Sequence, residues 1–153
     1  MPVSDPLVIA PEVRDAVAAG DPVLALESTI FTHGLPRPRN LEVALGAEGR
    51  VRAVGGVPGT VGIPDGRPTV GLSAGEIERL STADGVVKAS VRDVPVAAVK
   101  GLSAGTTVAA TAHLAARAGV RVFSTGGLGG VHRGGPQTFD ECADLPTLAG
   151  LSL

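Results

Sequence analysis

The sequence predicts an α/β domain built on a mixed sheet with helices on its faces. Three observations carry that expectation. Short apolar runs of strand length stand at 23–26, 57–63, 69–72, 86–90 and 120–124. Helical patterns fall between them, near 10–20, 41–54, 73–80 and 106–117, an alternation that builds a sheet with crossover helices. Polar clusters follow directly on three of the strands, where ligand sites in such folds gather.

Composition narrows the class further. The chain has 153 residues, enough for about one domain. Its 22 Gly and 12 Pro together stay below the ~25–30% at which low complexity becomes the default. Hydrophobic residues make up 44%, so a sizeable core is expected. No apolar run reaches the ~18 residues of a membrane span. A net charge of −2 argues against a basic nucleic-acid binder, and the lack of Trp and Tyr removes most of what single-strand stacking uses. A single cysteine, Cys142, excludes an intramolecular disulfide framework and a Cys-rich zinc site. The N-terminus has neither a basic nor an apolar signal region, so a soluble, cytoplasmic protein is expected.

Taken in order, Val13, Ala16 and Val17 share a helix face closed by Gly20. Asp21-Pro22 breaks the chain, and Val23 to Leu26 reads as a buried strand. Asn40 is expected to cap a helix over 41–54, weakened by Gly46 and Gly49 at about 1 kcal/mol each relative to Ala. Val57 to Ile63 and Thr69 to Leu72 form a hairpin around Asp65-Gly66. Ser73 and Glu76 form a capping box for a helix to Leu80. Val86 to Ser90 is a strand, Thr106 to Arg117 an Ala-rich helix stopped by Gly119, and Val120 to Ser124 a strand. Six glycines then crowd residues 125–135.

The polar clusters each have a chemical and a plain reading. Glu27, directly after an apolar strand, suits a general acid if it is desolvated; otherwise it pairs with an Arg or with backbone amides. Lys88 and Arg92 are two cations close enough to bind one phosphate, or else surface charges with Lys88 snorkelling. The 125–135 loop frees amides for an anion, but it is neither a Walker A loop nor the dinucleotide fingerprint. Asp140, Glu141 and Asp144 offer oxygen ligands for a hard cation such as Mg²⁺ or Mn²⁺, or form a solvated acidic turn. Cys142 reads first as a small hydrophobe. His113 reads as a helix-face residue, whereas His33 could line a site or make a structural hydrogen bond.

Together these strings resemble the pseudouridine-5′-phosphate glycosidases, also described as indigoidine-synthase-A-like. The matching stretches are Ala25-Leu26-Glu27-Ser28-Thr29-Ile30, His33-Gly34 with Pro36, and Asn40-Leu41-Glu42. They continue with Lys88-x-Ser90-x-Arg92-Asp93, Gly105-Thr106-Thr107-Val108-Ala109 and Val122-Phe123-x-Thr125-Gly126-Gly127. Gly129 to Gly134, Thr138-Phe139-Asp140 and Ala143-Asp144-Leu145 complete an ordered set from about residue 7 to about residue 148.

The resemblance implies reversible cleavage of the C–C glycosidic bond of pseudouridine 5′-phosphate to uracil and ribose 5-phosphate. A C-glycosidic bond offers no leaving oxygen to protonate, so the ordinary two-carboxylate scheme does not suffice. The family opens the ribose and joins its C1 to a lysine as an imine. By resemblance Glu27 is the proton donor, Lys88 contacts substrate, and Val108 contacts it through its backbone. Asp140 matches a Mn²⁺ ligand, and Cys142-Ala143-Asp144 matches a substrate-binding Ser-Ala-Asp in which Cys replaces Ser. A homo-oligomer, a trimer, is implied, with no nucleic-acid or membrane partner.

The family chain is roughly twice as long, and its nucleophilic lysine lies beyond the Ser-Ala-Asp segment. The lysines here are Lys88 and Lys100. Residues 1–153 are therefore expected to form a partial glycosidase domain, inactive alone. The alternative is a non-catalytic remnant that binds a phosphosugar or nucleotide.

Overall fold

The computed structural model describes residues 6–153. It is a mixed α/β fold. Strand β1 (Val8–Ile9) leads into α1 (Pro11–Ala19), which Gly20 closes in the left-handed conformation. Strand β2 (Val23–Leu26) follows, then a π-helical turn at Ile30–Gly34 and α2 (Arg39–Ala53). Next come β3 (Val57–Ile63), β4 (Thr69–Val70), α3 (Ala74–Thr82), β5 (Val87–Ala89) and α4 (Val94–Lys100). The chain continues through β6 (Ala104–Thr106), α5 (Val108–Arg117) and β7 (Val122–Ser124), and ends in two short helices, α6 (Gly135–Thr138) and α7 (Asp144–Ala149).

β3 organises the sheet. Its first four residues pair in parallel with β2, which pairs in parallel with β7. Its last three pair antiparallel with β4 on one edge and with β6 on the other. β2 and β6 therefore share one edge of β3 and run toward each other, β2 ending opposite Thr60 and β6 opposite Val61. β5 lies parallel to β6, and β1 parallel to β4. The carboxyl ends of β2 and β6 meet, and the polar residues that follow both strands are delivered to one place.

Helix α5 explains how the layers close. Its Val108, Ala109, Ala110, Thr111, Ala112, Leu114 and Ala115 are all buried. Small side chains let its backbone approach the sheet closely, at high packing density. The main core joins Val13, Val61, Ile63, Val70, Leu114 and Val120, and a second cluster of Phe31, Leu72, Ile77 and Leu80 sits under α2 and α3.

The hairpin forms around Asp65-Gly66, with its second strand ending at Val70 rather than Leu72, and the Ser73–Glu76 capping box forms as the sequence predicts. Three further expectations are corrected. α2 starts at Arg39 without a side-chain cap. Asn40 is buried instead, and its Nδ2 donates to the carbonyls of Phe31 and Ser81 at 2.7 and 2.8 Å. A buried amide tying the π-helical turn to the last turn of α3 outweighs local capping. The helix expected from Thr106 begins at Val108 with Thr107 as N-cap, because Thr106 ends β6. The strands expected at 86–90 and 120–124 shorten to Val87–Ala89 and Val122–Ser124. Among the described residues, no helix is long and apolar enough to cross a membrane.

Candidate active site

A cavity of about 430 Å³ opens where β2, β5, β6 and the glycine-rich loop converge. Glu27 and Thr29 enter it from the end of β2, Lys88 and Ser90 from β5, and Thr107 and Val108 from the start of α5. Gly127, Leu128, Gly129, His132, Cys142 and Asp144 supply the opposite wall. Five residues singled out in the sequence, Glu27, Lys88, Val108, Cys142 and Asp144, thus share one cavity.

The wall under Glu27 is fixed by buried hydroxyls. Ser28 Oγ accepts from the Thr106 amide at 2.8 Å and lies 3.1 Å from Thr106 Oγ1. Thr106 Oγ1 donates to the Val61 carbonyl at 2.8 Å and meets Thr111 Oγ1 at 2.8 Å. Thr29 Oγ1 donates to the Thr106 carbonyl at 2.7 Å. Ser28, Thr106 and Thr111 are fully buried. Beside them Gly105 lies so close to Thr32 that any side chain there would overlap it. This network staples the β2 exit to the β6 exit, so the backbone on either side of Glu27 has little freedom.

Glu27 itself is held by the strand next door. β7 pairs with β2 so that Ser124 lies opposite Leu26, which puts Thr125 beside Glu27. Thr125 Oγ1 donates to Glu27 Oε1 at 2.6 Å, and the Gly126 amide reaches the same oxygen at 3.3 Å. Glu27 also borders a second, largely apolar cavity of about 260 Å³, lined by Leu26, Ile30, Phe31, Ala44 and Ala47. On that cavity's rim Thr60 donates to Glu48 at 2.5 Å, and burial pushes the Glu48 carboxyl above the usual carboxylate range.

Asp144 is a buried carboxylate with both oxygens engaged. Oδ1 accepts from the Ala109 amide at 3.0 Å, in the first turn of α5, and Oδ2 accepts from the Gly129 amide at 2.8 Å. A negative group at a helix N-terminus meets both the free amides and the helix dipole. Gly129 is required here, because a Cβ would collide with Cys142 Sγ and come within 2.9 Å of Asp144 Oδ2. The glycine-rich loop is thus tied to α5 through one side chain.

The remaining candidates divide. Ala143 is exposed, precedes α7 and is not among the residues lining the cavity. Arg92 is 91% exposed beside Asp93 at 3.8 Å, matching the surface-charge reading, whereas Lys88 reaches the cavity. His33 is exposed, with Nδ1 2.8 Å from Thr32 Oγ1, and is not part of the cavity wall. His113 lies on α5, where burial and then the charge of Arg117 hold its imidazole below the usual value. Asp140 stands just behind the cavity, with Oδ2 2.8 Å from Nδ1 of His132. Among the described residues, no three His, Cys, Asp or Glu side chains form a group able to hold a metal ion. A hard cation that keeps most of its water needs only one or two carboxylates, and the exposed Asp140 fits that mode.

Motif reading named Ser28, Thr29, Ser90 and Thr107 without giving them roles. Their signal is position: each lies within three residues of a strand's end, where a hydroxyl can hold a backbone turn.

A mixed α/β fold with a polar cavity at converging strand ends defines the class, a small-molecule site of the type such folds carry at strand termini. The family model described as "Indigoidine synthase A like protein" matches residues 12–152, and the chain belongs to that family. It is 61% identical over 153 residues to the pseudouridine-5′-phosphate glycosidase of Saccharopolyspora erythraea, covering 50% of that protein. It is 54% identical over 147 residues to that of Frankia alni, covering 41%. The chain spans about half the length of the curated relatives it matches. Two solved structures are similar. The prealnumycin C-glycosynthase AlnA, in complex with ribulose 5-phosphate, gives a TM-score of 0.81 at 42% identity, over 92% of this chain and 45% of that one. An indigoidine synthase A-like protein from Thermotoga maritima gives 0.80 at 34% identity, over 94% and 46%.

Proposed function

We propose that this chain forms the acid-bearing, substrate-holding part of a pseudouridine-5′-phosphate glycosidase site, one that cleaves the C–C glycosidic bond reversibly to uracil and ribose 5-phosphate. The observation that carries the reading is the gathering of Glu27, Lys88, Val108, Cys142 and Asp144 around one cavity from four separate parts of the chain. The names of the relatives support it.

Glu27 is the proton donor, reaching the cavity from a backbone fixed by Ser28 and Thr29. Lys88 supplies a point positive charge for the sugar phosphate, next to the first turn of α5, where Val108 presents its backbone. Asp144 shapes the site by holding Gly129 and α5 together, so its part in substrate binding runs through the loop it anchors. Cys142 stands at the wall with a thiol, a weaker hydrogen-bond donor than a serine hydroxyl. Ala143 belongs to the same segment and contributes backbone only. Asp140 would hold Mn²⁺, which when bound offsets phosphate charge.

The lysines of these 153 residues are Lys88, assigned to the phosphate, and Lys100, which is exposed at the end of α4. Neither matches the imine-forming lysine, and on this reading these 153 residues by themselves bind without turning over. Uracil release from pseudouridine 5′-phosphate with Mn²⁺ tests this: none is expected from the purified chain, and robust release contradicts it. A phosphosugar-binding function without catalysis is the second reading, favoured by the same lysine arrangement. It predicts that joining the second half of a full-length relative to this chain restores no uracil release, whereas the glycosidase reading predicts that it does. Assembly as a homotrimer and a cytoplasmic location belong to the same proposal; sedimentation velocity checks the first.

A further inference from the structure

Thr125 makes more contacts than a tether needs. Its Oγ1 lies 2.6 Å from Glu27 Oε1 and 3.0 Å from the carbonyl oxygen of Gly127, and it accepts from the Gly127 amide at 3.2 Å. A threonine hydroxyl carries one hydrogen and two acceptor lone pairs. It can donate to Glu27 or to the Gly127 carbonyl, but not to both.

We propose that Thr125 is a positioning residue for Glu27 whose single hydroxyl hydrogen turns between the Glu27 carboxylate and the Gly127 carbonyl as Glu27 loses and gains its proton. This rests on the reading of Glu27 as the proton donor. When Glu27 is ionised, the hydroxyl donates to Oε1, and 2.6 Å is the length expected of a hydroxyl on a carboxylate. When Glu27 is protonated, its own O–H donates to Thr125 Oγ1, and the threonine hydrogen turns to the Gly127 carbonyl. When Glu27 is protonated every one of these contacts carries a hydrogen; when it is ionised the 3.0 Å contact between Thr125 Oγ1 and the Gly127 carbonyl carries none, and the Gly127 amide bond to Oγ1 holds the turn in place. Thr125 keeps its hydrogen throughout; to reach substrate the Glu27 proton leaves its bond to Thr125 Oγ1, and the threonine hydrogen turns back to the carboxylate that remains.

The pairing of β7 with β2 sets this geometry. It places Thr125 beside Glu27, while Gly126 and Gly127 let the backbone turn back under the hydroxyl. The Gly126 amide at 3.3 Å holds Oε1 in both states. A threonine that merely joined the strands would need the contact to Glu27 alone; the second acceptor is what makes the arrangement two-state. The other titratable groups around the cavity are Lys88, His132, Cys142 and Asp144. A Glu27 titration is therefore assigned by labelling that carbon rather than by a bulk signal.

The test is a carbon-13 pH titration of the 153-residue chain, following Glu27 Cδ and the Gly127 carbonyl carbon. In the wild type both signals are expected to move with one midpoint. In Thr125→Val the Glu27 curve is expected to move to higher pH, since a hydroxyl bond to a charged group exceeds one to a neutral group. The Gly127 response then falls to a small fraction, and Thr125→Ser restores both. A wild-type Gly127 carbonyl that stays flat through the Glu27 titration overturns the proposal, even if Thr125→Val does not fold. So does a Thr125→Val chain with unchanged Glu27 and Gly127 curves. Because the readout needs no turnover, lack of glycosidase activity counts against the functional reading and leaves this result standing.

Discussion

The two walls of the cavity are built by opposite means. The wall beneath Glu27 is dry: Ser28, Thr106 and Thr111 are fully buried, and their hydroxyls bond one another and the strand backbones. The wall made by residues 126–142 is largely exposed and rich in glycine, and it carries His132 and Asp140 at its surface. It is held from inside by one buried carboxylate, Asp144, and joined to Glu27 by the Thr125 hydroxyl and the Gly126 amide. The dry wall spreads its restraint over many bonds, each cheap to lose in part. The glycine wall concentrates restraint in two side chains. On the function proposed above, one wall would place the proton donor and the other would admit the ligand, and the two constructions match those tasks.

The largest effect therefore falls on the glycine wall. Asp144→Ala removes two charge-assisted bonds to amides, one of them in the first turn of α5. Urea denaturation should show a loss of about 3 kcal/mol. Hydrogen exchange at Gly129 should speed up by more than at Thr106. Equal acceleration at both amides would show that the two walls are one unit.

Thr106→Val comes next. It leaves the Val61 carbonyl and the hydroxyls of Ser28 and Thr111 short of a partner in a buried place, at a cost of about 2 kcal/mol. A loss below about 0.5 kcal/mol on the same denaturation curve would mean that the network is less coupled than its distances indicate.

Cys142→Ser restores the hydroxyl at a partly buried position of the glycine wall. Stability should change by less than about 0.5 kcal/mol, while ribose 5-phosphate affinity rises about fivefold, the worth of one neutral hydrogen bond. Calorimetry reads the affinity directly, and an unchanged value would remove Cys142 from the binding surface.

The smallest effect belongs to Glu48, outside both walls. Burial raises its carboxyl above the ordinary value, with the Thr60 hydrogen bond and the charge of Arg52 opposing. The folded chain then holds more protons than the unfolded chain between the ordinary and raised values, so stability falls as pH rises through that window. Glu48→Gln removes that penalty and can keep the Thr60 contact. Tm should rise by roughly one or two degrees at neutral pH, with the gain vanishing once the pH falls below the ordinary glutamate value. A gain that grows toward acid would contradict the sign.

Local order was readable where neighbours in sequence supply the bonds. The β3–β4 hairpin and the Ser73–Glu76 box need nothing beyond their own residues. Asn40 misleads because its partners, Phe31 and Ser81, come from two other segments. β6 hides because Ala104-Gly105-Thr106 has no strand-like run. Its Gly105 answers to the close approach of Thr32, and its Thr106 to a buried network, rather than to strand propensity. α4 hides for a similar reason, since Pro95 in its first turn reads as a break although that position tolerates proline. At the site, Glu27 and Lys88 stood out as charges after or within apolar runs, and Asp144 as one of three carboxylates in five residues. What each one touches did not, since Thr125, Gly129 and Ala109 reach them only through the fold.

The central claim is that the walls together hold one phosphosugar, with Lys88 taking its phosphate. Isothermal titration of ribose 5-phosphate into the wild-type chain and into Lys88→Ala tests it most directly. Lys88 is an exposed strand residue, so its loss should leave the fold intact. One site is expected in the wild type, weakened at least about tenfold in the variant, the worth of a lost charge-assisted contact. Equal affinity in both chains, or no binding in either, would contradict the account.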